Sequence, residues 1–109
     1  MDALSFAQAG LRAASVRIAA RAENIANVQT GGYRAAIPEQ TATLGGPEVR
    51  VERAAEVQTV DAVTGLVTNG QSIETDIVDL IQSKFAYKAN ATVIKTADDL
   101  TQSLLDILA

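Results

Sequence analysis

The sequence predicts a mainly α fold in one domain, with long N- and C-terminal helices paired as an antiparallel coiled coil and a small β-hairpin insertion between them. The helices are expected over 1–30 and 71–109, and the short β and loop insertion over 33–70. Three observations predict this. Apolar residues recur at steps of three and four, or of seven, near both ends. Pro38, Gly45-Gly46-Pro47, Gly65 and Asn69-Gly70 punctuate the middle. No Pro or Gly interrupts Gln71 to Ala109.

In the first helix, Leu4, Leu11, Ile18 and Ile25 are spaced by sevens, with Ala7, Ala14 and Val28 at the complementary positions. Arg21 breaks that second row, and Gly10 costs about 1 kcal/mol relative to Ala. The helix therefore needs packing to be stable. It should stop near Asn27, because Asn24, Asn27 and Thr30 favour local side-chain to backbone bonds and Gly31-Gly32 tolerates positive φ. Tyr33 follows, where its ring can fold back on the last turn.

Between the helices, Val49-Arg50-Val51-Glu52-Arg53 alternates apolar and charged residues as a half-exposed strand does. Thr41 to Leu44, across the Gly-Gly-Pro turn, is its natural hairpin partner. Glu56 to Val67 is either another strand or extended chain. A two-stranded ribbon is marginal in water and must pack on something.

The second helix is expected to start between Gln71 and Ile73, with Ser72 as N-cap and Glu74 and Asp76 suiting the helix dipole in the first turn. Its stripe runs Ile73, Ile77, Leu80, Tyr87, Ala91 and Ile94, then continues as Ala97, Leu100, Leu104 and Leu108 after a three-residue step. At about 1.5 Å per residue the two helices measure ~38 and ~55 Å, so an antiparallel pair leaves the C-terminal helix overhanging. Leu4, Leu11, Ile18 and Ile25 are expected to meet Ile73, Ile77, Leu80, Tyr87 and Ile94 in the intrachain seam. Leu100, Leu104 and Leu108 are left for contacts between subunits.

Composition narrows the function. The 109 residues carry a net charge of -4, which disfavours nucleic acid as a partner although Arg12, Arg17 and Arg21 cluster on the first helix. Histidine and cysteine are both absent, removing the commonest general base, the usual thiol nucleophile and most transition-metal sites. Asp76 with Asp79 and Asp98 with Asp99 are the close carboxylate pairs. The first pair shares a helix face and reads as a solvated or ion-paired surface, and the second pair diverges. Neither glycine doublet is followed by the Lys or Ser of a phosphate loop. No catalytic, cofactor or metal site and no small-molecule substrate is expected, and no apolar run is long enough to span a bilayer. The N-terminus also lacks the basic region of a signal peptide.

Both ends resemble the axial proteins of the bacterial flagellum, the basal-body rod family and its hook relatives. The N-terminal resemblance rests on Ala9-Gly10-Leu11-Arg12-Ala13-Ala14 and on Glu23-Asn24-Ile25-Ala26-Asn27-Val28-Gln29-Thr30-Gly31-Gly32-Tyr33-Arg34. The C-terminal one runs from Leu80 to Leu100 and includes Phe85-Ala86-Tyr87-Lys88-Ala89-Asn90. Gly31 stands where the family usually has Pro, and Phe85 where Arg is typical. Within the motifs, Asn24, Asn27, Gly32, Tyr33, Tyr87 and Asn90 are the family positions singled out. The resemblance implies a rod or hook-basal-body subunit of proximal-rod size, exported without a cleaved signal by the flagellar type III apparatus. Its partners would be copies of itself and other rod proteins. Asn24, Asn27 and Asn90 read as buried polar groups that fix helix register, or, for the first two, as residues that merely end a helix. The alternative function is a non-catalytic helical-hairpin adaptor or regulatory protein that binds a partner helix.

Overall fold

A computed structural model describes residues 3–30, 32–54, 59–60, 67–68 and 73–108. Helix α1 spans Ala3–Ala26 and helix α2 spans Ile73–Leu108. Between them strands β1 (Ala36–Thr43) and β2 (Gly46–Arg53) form an antiparallel hairpin, and β3 (Thr59–Val60) pairs with β4 (Val67–Thr68). The expected fold class is therefore observed: two helices packed on each other with a two-stranded hairpin between them. The Ser72 cap, Gly31 and most of Glu56 to Val67 lie outside the described residues.

The helices run antiparallel, because Gly10 meets Asn90, Arg17 meets Ser83, Arg21 meets Asp79 and Asn24 meets Asp76. The buried layer of α1 is alanine: Ala7, Ala9, Ala13, Ala14 and Ala20. On α2 the buried residues are Asp76, Asp79 and Ser83. This layer lies beside the seam that the apolar periodicity predicts. Leu11, Ile18, Ile25, Leu80 and Ile94 are half-buried, while Leu4, Ile73, Ile77 and Tyr87 are exposed. The physical reason is size. Gly10, Arg17, Arg21 and Asn24 meet α2, and the small Gly10, Ala13 and Ala14 between the helices let the backbones close in, so bulkier neighbours flank the contact. At Gly10 a Cβ would stand 2.7 Å from the Asn90 amide, so an added methyl requires the Asn90 side chain to move.

The hairpin extends further than the alternation in Val49 to Arg53 implies. Its register pairs Ala36 with Arg53 and Thr43 with Gly46, leaving Leu44-Gly45 as the turn. Pro38 sits inside β1 opposite Val51, a position open to proline because each strand of a two-stranded ribbon has a free edge. Gly46 has φ of 109°, and a Cβ on it would stand 2.8 Å from that of Ala9. Glycine is needed there both for the turn and for the hairpin to lie on α1. Ala36, Pro38 and Gly46 are the buried points of that docking.

Candidate subunit interface and the polar clamp that frames it

Arg21, which interrupts the Ala7 and Ala14 row, reaches across to α2. Its Nη1 donates to Asp76 Oδ1 at 2.9 Å and its Nε to Asp79 Oδ2 at 2.7 Å. Arg17 donates from Nη2 to Asp79 Oδ1 and from Nε to Ser83 Oγ at 3.3 Å. The i, i+3 spacing of Asp76 and Asp79 puts both carboxylates on one face, as the sequence predicts, and that face is ion-paired and buried rather than solvated. For Asp79, burial works to raise the pKa, but the hydrogen bonds from Arg21 and Arg17 outweigh it and hold the carboxyl below its ordinary value. For Arg21, burial works downward and the bonds to Asp79 and Asp76 carry the pKa up. Asp76 Oδ2 is buried with no hydrogen-bond partner among the described residues. Buried pairs of this kind gain little net stability over apolar packing, but breaking one leaves an uncompensated charge.

Next to this clamp, Asn24 is 1% exposed and ties α1 to the hairpin. Its Oδ1 accepts from Ala36 N–H at 2.8 Å and its Nδ2 donates to Ala36 C=O at 2.8 Å, so one carboxamide satisfies both polar groups of a fully buried backbone residue. Tyr33 folds back onto the helix, as expected, and its hydroxyl donates to Asn24 Oδ1 at 2.9 Å. Burial pushes the Tyr33 pKa up. Gly32, with φ of 77°, makes the reversal that brings Tyr33 there. Arg53 lies 6.0 Å over the Tyr33 ring and pairs with Glu23 at 3.3 Å. Asn27 is a local capping group: its Nδ2 donates to Glu23 C=O at 2.9 Å and its Oδ1 accepts from Thr30 at 3.2 Å. Asn90 donates to Ala86 C=O at 2.9 Å within its own helix and lies flat against Gly10. Periodicity singles out none of these long-range partners. Arg21 as a break in an apolar row was the available signal for the clamp.

The opposite end of α2 is bare. With α1 beginning at Ala3 and the pairing running in register, α2 beyond about Ala97 has no α1 residue opposite it. Leu100 and Leu104 are each 61% exposed there, and Leu108 is 82% exposed. Leu105 and Ile107 lie beside them, equally uncovered. Nearer the start of α2, Val78, Ile81 and Phe85 are also exposed, a second apolar surface that the sequence stripe does not include.

Among the described residues no group of three or more potential ligands could hold a metal ion, and no helix is long and apolar enough to cross a membrane. A cleft of about 210 Å³ lies between α1, the hairpin and α2, lined by Gly10, Arg17, Gln40, Ser83 and Asn90 among others. Arg17 and Ser83 are already engaged there with each other and, for Arg17, with Asp79.

Compared with known families, residues 72–107 match the model described as flagellar basal body rod FlgEFG protein C-terminal. No curated protein matches the chain.

Proposed function

We propose, from the match of residues 72–107 to the C-terminal model of the flagellar basal-body rod family, that the chain is a member of that family and a rod subunit polymerising through its terminal helices into the axial drive shaft. Membership supports a structural role at the basal body. The finer reading rests on one observation, the bare Leu100, Leu104 and Leu108 face on a helix that outruns its partner. An apolar face at one end of an elongated molecule makes head-to-tail contacts that do not close, and such contacts build filaments. In this reading the copies of the chain and the neighbouring rod proteins are the partners. Export through the flagellar type III apparatus precedes assembly, and the role is non-enzymatic.

Asn24 and the Arg17, Arg21, Asp76 and Asp79 clamp hold the register of the helix pair, so that each subunit presents the same overhang length. Replacing Leu104 and Leu108 together with Asp tests the reading. Basal bodies should then lack complete rods and cells should lose motility, while the variant is still found outside the cytoplasm. Normal rods and motility in that double variant would overturn it. A defined stoichiometric complex in light scattering, in place of a polymer, would favour a helical-hairpin adaptor.

A further inference from the structure

The exposed large apolar residues of α2 fall mainly into two groups at opposite ends, with Tyr87 and Val93 between them. One is the overhang. The other is Ile77, Val78, Ile81 and Phe85, which face away from α1, since the intervening positions Asp76, Asp79 and Ser83 are the ones buried against it. Phe85 is 68% exposed. Steps of four from Ile77 through Ile81 to Phe85 make a ridge along the helix, as do the steps of four from Leu100 through Leu104 to Leu108. Each ridge spans nine residues, about 12 Å of helix. Their flanking charges differ. Lys84 and Lys88 stand beside Phe85 and make no ion pair among the described residues, with Glu74 one turn before Val78, whereas Asp98 flanks the overhang.

We propose that the Ile77, Val78, Ile81 and Phe85 ridge, flanked by Lys84 and Lys88, is the acceptor surface for the 97–108 overhang of a second copy of this chain. The proposal rests on the reading of the chain as a self-assembling rod subunit and names the surface that completes it. Donor and acceptor are separate surfaces centred 23 residues apart on α2, about 35 Å along the helix. A copy that receives an overhang therefore still offers its own, so the contact is heterologous and open-ended. Equal ridge length lets the two apolar rows cover each other. The lysines set against Asp98 disfavour a ridge-to-ridge pairing, where Lys84 and Lys88 would meet their own copies.

The chain has no cysteine, so site-directed crosslinking is unambiguous. Full-length Phe85→Cys and Leu104→Cys are mixed and treated with a short bismaleimide, with Ile81→Cys and Leu108→Cys as a second pair and helicity by circular dichroism as the check on folding. The mixed product should exceed either variant alone. Lys84→Glu with Lys88→Glu should lower its yield several-fold, and Asp98→Lys on the overhang partner should restore it. Polymer in sedimentation without mixed crosslinks from either folded pair would overturn the acceptor surface and leave the rod reading standing. Monomer throughout would overturn both.

Discussion

The two halves of α2 obey different rules. From Asp76 to Asn90 the helix is matched to α1 by groups that must be met: two carboxylates against two guanidinium groups, and a carboxamide against a glycine. From Leu100 to Leu108 it exposes five large apolar side chains, Leu100, Leu104, Leu105, Ile107 and Leu108, and lies beyond the last α1 residue. The paired half is particular about its partner and gains little from burying hydrocarbon. The free half has hydrocarbon to bury and few directional demands. Directional contacts are thus concentrated between the two helices, and uncovered apolar area at the far end of α2.

If that division is right, substitutions in the paired half should act on folding. The largest effect is expected at Arg21. Arg21→Ala removes both of its charge-assisted bonds and leaves Asp76 buried with only the long 3.5 Å contact to Asn24. A loss of about 3 kcal/mol should follow, measured by urea unfolding of unassembled chain. A loss under about 1 kcal/mol would mean that the carboxylates find water, and that the clamp is not the register device. Asn24→Ala comes next, at about 2 kcal/mol, because both polar groups of buried Ala36 lose their partner. Its second signature is faster amide exchange in β1 than in the middle of α2, since the hairpin is what Asn24 holds.

Acid should probe the same region more gently. The folded Asp79 carboxyl titrates below its ordinary value, whereas in the unfolded chain it titrates near 3.9. Its contribution is thus fully present above about pH 4 and is lost as pH falls through the depressed folded value. Asp79→Asn should flatten the fall of the urea midpoint below pH 4 and leave the profile between pH 5 and 8 parallel to that of the parent chain. An unchanged slope in acid would place the proton uptake elsewhere.

Much of this architecture was legible in the residues, for a definite reason. The long steps of three and four without Pro or Gly, and Gly45-Gly46-Pro47 between alternating runs, are local signals, and local signals determine helices and a hairpin. The bare end of α2 was equally legible, since it follows from unequal helix lengths. The contact layer was not. Apolar periodicity weights residues by hydrocarbon, so it favours Leu4, Leu11, Ile18 and Ile25 over Ala7, Ala14 and Gly10, although close approach is possible only along the small residues. Arg21 registered as a flaw in a row because its partners are 55 and 58 residues away. Asn24 reads from the sequence, like Asn27, as a residue that ends a helix or fixes register. Only the chain reversal at Gly32 places Ala36 against it.

The smallest expected effect is the one that separates the halves most cleanly. Leu104→Ala removes a large apolar side chain, which in a core would cost about 2 to 5 kcal/mol. Here the side chain is 61% exposed on a segment beyond the reach of α1. The urea midpoint of unassembled chain at low concentration should therefore move by less than about 0.5 kcal/mol, the range of ordinary surface substitutions. The small gain in helix propensity from Leu to Ala even leaves the sign open to slight stabilisation. The same substitution should raise the concentration at which the chain begins to sediment as polymer, because a partner subunit that covers Leu104 loses that hydrocarbon contact. A shift of 1 kcal/mol or more in the dilute chain would mean that Leu104 is already covered from within. The division of α2 into a folding half and an assembly half would then fail at its plainest point.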